Sequence, residues 1–205
     1  MKAKTFFIFL VFLLAATSSR GQGSYFYINW DYNIPLSNTS WIEEHSGYGG
    51  KVGYRFILAR RPLSVGVDFN WTTFYQYEPT QTIQHANGAL TTDYYRFLYT
   101  YGVTASAQYY FPLRDKEVLF PYAGLGLGAN YNDYTLYYNI YENSEANWGL
   151  LARPEAGVLL RFGERRSFGL MAAVHYDWSS NRSDRFKYNN FSMVGFQVGL
   201  MFMGR

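Results

Sequence analysis

The chain has 205 residues, no cysteine, 21% aromatic residues against only 16% charged ones, and a formal net charge of +3. Without a thiol there is no disulfide framework, no cysteine-linked lipid anchor and no thiol catalysis. Two of the excess positive charges, Lys2 and Lys4, belong to an N-terminal leader, so the nearly neutral remainder makes no case for nucleic acid binding.

Lys2 and Lys4 precede an apolar run from Phe6 to Ala16, which gives way to the small and polar residues around Ser19, Arg20 and Gly21. This is the pattern of a secretory signal peptide, residues 1–21, cleaved before Gln22. The run is short for a membrane span. Residues 22–205 then form one exported domain, with no second apolar run of membrane-helix length.

Eight segments with a side-chain period of two follow one another. The first runs from about Tyr25 to Ile34, and sets Phe26, Ile28, Trp30 and Tyr32 against Tyr27, Asn29, Asp31 and Asn33. The second, near Gly50 to Leu58, sets Val52, Tyr54 and Phe56 against Lys51, Gly53 and Arg55. In the third, Val65, Val67, Phe69 and Trp71 alternate with Gly66, Asp68 and Asn70; in the fourth, Tyr101, Val103 and Ala105 alternate with Gly102, Thr104 and Ser106. The fifth opposes Leu125 and Leu127 to Gly124, Gly126 and Gly128, and the sixth opposes Ala156, Val158 and Leu160 to Arg153, Glu155, Gly157 and Arg161. Leu170, Val174, Tyr176 and Trp178 face away from Gly169, His175 and Asp177 in the seventh, as do Phe196, Val198 and Leu200 from Gly195, Gln197 and Gly199 in the eighth.

Glycines and charges therefore share one face while bulky apolar groups hold the other. An eight-stranded barrel has a lumen only just wide enough for a filling of side chains, and the bulky face of eight strands does not fit inside it. That face must look outward into lipid. The connections alternate as well: 35–47, 76–92, 133–147 and 179–190 are long, whereas 59–62, 112–117 and 163–166 are short. The expected fold is all-β, an up-and-down eight-stranded antiparallel transmembrane β-barrel with short periplasmic turns and long extracellular loops.

Gly124-Leu125-Gly126-Leu127-Gly128-Ala129 superficially matches a dinucleotide fingerprint, but that motif needs a helix after its turn, and here the period stays at two. His175, Asp177 and Ser179 invite a hydrolase reading. Strand residues two apart step about 6.8 Å, too far for relay contacts, so a lumen hydrogen-bond network is the reading taken. If Phe162 and Phe168 flank the sixth turn as a pair, Glu155 falls opposite His175 and Arg153 opposite Asp177, while Asp68 falls opposite Gly53 and diagonal to Lys51 and Arg55. Lys51, Arg55, Asp68, Arg153, Glu155, Arg161, His175 and Asp177 are thus expected to plug the lumen as an ionic network, since buried charges persist only when partnered. His45 and His85 lie in different long loops near Glu43, Glu44 and Glu78 without fixed spacing, and no metal, cofactor or catalytic residue is expected. Arg182, Arg185 and Lys187 cluster in the last long loop, as solvated charge or as contacts to lipopolysaccharide phosphates.

Pro121-Tyr122-Ala123-Gly124-Leu125-Gly126, Arg153-Pro154-Glu155-Ala156-Gly157-Val158 and the closing Gly195-Phe196-Gln197-Val198-Gly199-Leu200-Met201-Phe202 resemble segments of the small outer-membrane β-barrel proteins of the OmpA/OmpX type. The resemblance covers essentially all of residues 22–205. It implies residence in the outer membrane of a Gram-negative bacterium, contact with outer-membrane lipid and lipopolysaccharide, and insertion by the barrel-assembly machinery, to which the closing strand is similar to a signal. The implied role is non-enzymatic: an envelope scaffold, or a surface interaction and adhesion module whose loops meet an unidentified surface protein. The alternatives are an enzyme modifying outer-membrane lipid, of the lipid A acylase or deacylase kind, and a small-solute channel.

Overall fold

The computed structural model describes residues 21–59, 61–85, 88–111, 118–138, 141–162, 167–183 and 188–204. Eight strands, β1 (Gly21–Pro35), β2 (Ser46–Leu58), β3 (Leu63–His85), β4 (Gly88–Tyr110), β5 (Leu119–Tyr138), β6 (Tyr141–Phe162), β7 (Phe168–Ser179) and β8 (Phe191–Gly204), form a closed barrel in sequence order. All neighbours are antiparallel, and β1 closes on β8 from Ser24↔Gly204 to Pro35↔Met193. Residues 1–20 of the expected signal peptide lie outside the described residues, while Gly21 already opens β1.

Alternation is complete in β7, where every second residue from Gly169 to Ser179 is buried and every intervening one is exposed. The exposed set is the apolar one: Val67, Val103, Leu127 and Val198 are each about half exposed. Aromatic rings border this belt, with Tyr109, Phe111, Phe162, Phe168 and Phe202 near the short turns and Trp30, Tyr101, Trp148 and Trp178 toward the other rim. Rings that are apolar in body and polar at one edge settle at a lipid–water boundary.

The inner face is stacked in three layers. Tyr25, Tyr27, Tyr110, Tyr122, Leu159, Met171, Ala173 and Met201 cluster at the short-turn end. A polar and charged layer fills the middle. Ile42, Phe74, Leu98, Tyr134, Tyr188, Phe191 and Met193, with Trp41 against them, cap the opposite end. The lining is thus bulkier than its glycines suggest, because several of them, such as Gly53, Gly66 and Gly195, face a large inward neighbour. At Gly53 a Cβ would collide with the Asp68 carboxylate and the Tyr27 ring.

Two of the expected long loops are corrected to β-structure. The β3–β4 ladder continues to His85↔Gly88 and the β5–β6 ladder to Tyr138↔Tyr141, so segments 76–92 and 133–147 largely prolong their hairpins. Because β2 stops pairing at Gly49↔Thr72, β3 beyond Thr72 has a free edge on that side. A proline is tolerated at such an edge, and Pro79 falls within a register shift between Glu78 and Gln81. Above the lipid neither face needs to be uniformly apolar, so the period of two fades while the ladder persists.

The cap predicts an alkaline transition. Tyr188 stacks on Tyr134 with ring centroids 4.2 Å apart, and burial pushes its phenol up to about 12. An exposed tyrosine loses its proton near 10, so between about pH 10 and 12 the opened cap releases a proton that the closed cap retains. The contribution of Tyr188 is full below pH 10 and lost as pH rises to 12. Phenolate absorbance of the wild type minus Tyr188→Phe is expected to show a late step near the top of that window, and a step at pH 10 contradicts the packing.

Candidate functional site: the charged lumen and the long-hairpin rim

In the middle layer, strands from opposite walls converge. Lys51 Nζ of β2 lies 2.6 Å from Glu155 Oε2 of β6, Gln197 Nε2 donates to the same oxygen at 3.1 Å, and Gln108 Nε2 donates to Oε1 in a short hydrogen bond. Arg55 Nη2 sits 2.8 Å from Asp68 Oδ2 and 3.7 Å from Glu155 Oε1. Asp68 also accepts from Tyr27 O–H and Ser106 Oγ, each at 2.6 Å, with Lys51 3.8 Å away. Arg153 grips Asp177 with two nitrogens, Nε at 2.5 Å and Nη2 at 2.6 Å. This forked geometry satisfies both carboxylate oxygens and is the strong form of an ion pair.

The ladder sets Glu155 opposite His175 and Gly53 opposite Asp68, the register that the turn parity predicts. Glu155, however, finds its ion-pair partners across the lumen in Lys51 and Arg55. His175 turns instead to two aspartates, with Nδ1 3.1 Å from Asp177 Oδ1 and Nε2 3.8 Å from Asp31 Oδ2. Asp31 is fully buried and absent from the expected network, although its parity with Asn29 and Asn33 already places it inward. Arg161 is a second correction. It stands half-buried at the short-turn rim, with Nη2 3.3 Å from Met203 Sδ and its guanidinium over the Phe120 ring, so its long stem carries the charge toward the boundary.

The distance argument against a His–Asp contact is also corrected, because side chains leaning along the strand bring His175 and Asp177 to 3.1 Å. Ser179 does not complete a triad: its Oγ donates to the Phe191 carbonyl at 3.2 Å. Among the described residues no cluster of three or more His, Cys, Asp or Glu is placed to hold a metal. His45 packs edge-on against Tyr32, with Nδ1 3.2 Å from its hydroxyl. Arg182 is exposed. Arg185 and Lys187 lie outside the described residues.

The side chains of Lys51, Arg55, Asp68, Arg153, Glu155, His175 and Asp177 are only 0–4% exposed. Side chains therefore close the middle of the lumen. At the cap, Arg96 of β4 fastens the β1–β2 connection to the prolonged hairpin: it donates to the carbonyls of Ser40 and Trp41 at 2.8 and 3.1 Å and lies over the Trp41 ring. Glu43 N–H donates to Gln76 Oε1 at 2.7 Å beside it.

A closed barrel with an apolar exterior and a packed ionic interior defines a class of protein whose solvent is lipid outside and its own side chains inside. The chain belongs to the Outer membrane protein beta-barrel domain family, which it matches over residues 5–202. No curated protein sequence matches it. Among solved structures it is similar to Neisserial surface protein A, at 15% identity and a TM-score of 0.61, over 87% of this chain and 96% of that one. It is likewise similar to Ail, the attachment invasion locus protein of Yersinia pestis, crystallised with the heparin analogue sucrose octasulfate, at 15% identity and a TM-score of 0.54, over 90% of this chain and 99% of that one. These likenesses carry the fold.

Proposed function

We propose that this outer-membrane barrel is non-enzymatic and serves as an envelope scaffold or surface interaction module through its long-hairpin rim. The observation that carries the reading is the plug. Among the described residues, ion pairs are buried between apolar clusters at both ends, and side chains fill the middle of the lumen. What projects is the rim, where β3 to β6 rise beyond β2 and β7. The Ail structure holds a sulfated sugar. In this chain Arg182, Arg185 and Lys187 would supply cations for such an anionic saccharide, for lipopolysaccharide phosphates or for a surface protein. Signal-peptide removal before Gln22, insertion by the barrel-assembly machinery and an outward-facing long rim belong to the same reading. Crosslinking on intact cells tests it by recovering partners through the rim; if only periplasmic partners are captured, the reading fails.

Orientation is tested separately. Trypsin added to intact cells is expected to cut near Arg182, Arg185 or Lys187 and to spare Arg60, Arg61, Arg165 and Arg166 in the short turns. Cleavage at the short turns in unbroken cells reverses the topology.

The contact between His175 and Asp177 supports a second reading, an enzyme acting on outer-membrane lipid. A lipid A mass profile that changes on deletion of the gene, and on His175→Ala but not on Glu155→Gln, selects the enzyme. An unchanged profile leaves the scaffold.

A further inference from the structure

The outer face of the prolonged hairpins is aromatic well beyond the lipid belt. Tyr75, Tyr77 and Tyr95 are 43%, 46% and 38% exposed, and their rings make one surface: Tyr75 stacks on Tyr95 at 5.7 Å, Tyr77 meets Tyr95 at 5.1 Å, and Tyr75 meets Phe97 at 5.2 Å. Phe97 lies parallel to Tyr99 at 5.8 Å and takes Tyr137 edge-on at 5.6 Å. Below, Tyr101, Tyr131 and Trp148 extend the outward aromatic surface into the boundary ring, with spacings of 6.4 and 5.1 Å.

Height identifies what this surface meets. At a strand rise of about 3.4 Å and a tilt of about 40°, the six residues from Tyr101 to Tyr95 climb ~15 Å above the boundary ring. Acyl chains end below that level, and the molecules standing beside the barrel there are the headgroups of the same leaflet. In a leaflet of lipopolysaccharide those headgroups are sugars.

The fringe narrows the chemistry. Tyr77 O–H lies 3.3 Å from Asp93 Oδ2, Asp133 is the ladder partner of Tyr99, and Glu142 is the partner of Tyr137. Carboxylates repel phosphate but accept hydrogen bonds from hydroxyls, and flat rings stack on the C–H faces of sugar rings. A second copy docking by two-fold symmetry would bring the same acidic fringe against itself, which disfavours that occupant.

We propose that this tyrosine face binds uncharged sugar rings of the lipopolysaccharide core in the surrounding leaflet, by stacking and by hydrogen bonds to the flanking carboxylates. It draws on β3, β4 and β5 and not on the cations of the last loop. It rests on the outward orientation of the long rim, which the protease experiment checks independently.

The test uses the full barrel in bilayers of defined lipid, probed with core oligosaccharide released from lipid A. The substitutions Tyr75→Ser, Tyr77→Ser and Tyr95→Ser together are expected to weaken binding on the order of tenfold, from the loss of three ring contacts. The corresponding triple change to Phe is expected to keep most of it, and raising the salt is expected to leave it unchanged. A gel mobility that shifts on heating, as it does for the folded wild type, shows that each variant folds, and Tyr77→Ser alone serves if the triple does not. Equal binding by wild type and the serine variant, or a salt-sensitive affinity, overturns the proposal. So does wild-type dimer crosslinking in lipid A bilayers that the serine variant abolishes, since that makes the face a contact between copies.

Discussion

Val103→Arg is expected to lower barrel stability in a bilayer by up to about 2–4 kcal/mol, because it places a guanidinium inside the hydrocarbon belt, below the boundary ring that holds Tyr101. Val103 points outward from β4 between its ladder partners Phe69 and Ala129, and is 51% exposed. Unfolding by denaturant from lipid vesicles measures the loss. Two controls separate lipid burial from simple strain. Thr82→Arg, on the prolonged part of β3 above the belt, is expected to stay within about 0.5 kcal/mol of wild type, as exposed surface changes do. Thr104→Arg, one residue along but inward, damages the barrel by crowding a filled lumen, so its effect persists in detergent. If Val103 and Val174 both accept arginine freely in bilayers, the inside-out barrel is wrong.

Glu155→Gln is expected to destabilise the barrel by about 3–5 kcal/mol, since it removes one side of a buried pair and leaves the other charged. The partners left behind are Lys51, at 2.6 Å, and Arg55, at 3.7 Å. Lys51→Met alone should also be harmful, whereas the two changes together should cost less than their sum. A cycle of Glu155 with His175 is expected to be more nearly additive, because His175 hydrogen-bonds to Asp177 and faces Asp31. Additive losses for Glu155 and Lys51 would remove the cross-lumen pair.

What could be read from residue order divides along a physical line. Alternation reports which side of a strand meets lipid, so Gly124, Gly126 and Gly128 facing away from Leu125 and Leu127 identify a thin, inward wall. Turn parity reports the residue directly opposite on the next strand, which is why Glu155 and His175 fall into register. Neither signal crosses the lumen. Which side chain meets another from the far wall depends on the stagger of the closed sheet, so the meeting of Lys51 with Glu155 was not legible, and Asp31 was visible only as an inward carboxylate without a partner. The prolonged hairpins were hidden for a different reason. Thr91, Thr92, Asp93, Tyr94 and Tyr95 lie above the lipid and show no period, and Pro79 reads as a break although a free edge accommodates it.

Lys51 and Glu155 are 104 residues apart in the chain and belong to strands four places apart in an eight-strand ring. Their bond therefore acts as a tie rod across the diameter of a cylinder, resisting the flattening that a ring of hinged staves would otherwise allow. It also cannot exist in an open sheet, where the two residues stand on distant staves. Meeting of the first and last strands and pairing of Lys51 with Glu155 thus become one event, whereas Arg55 with Asp68 and Arg153 with Asp177 join adjacent strands and can pair beforehand.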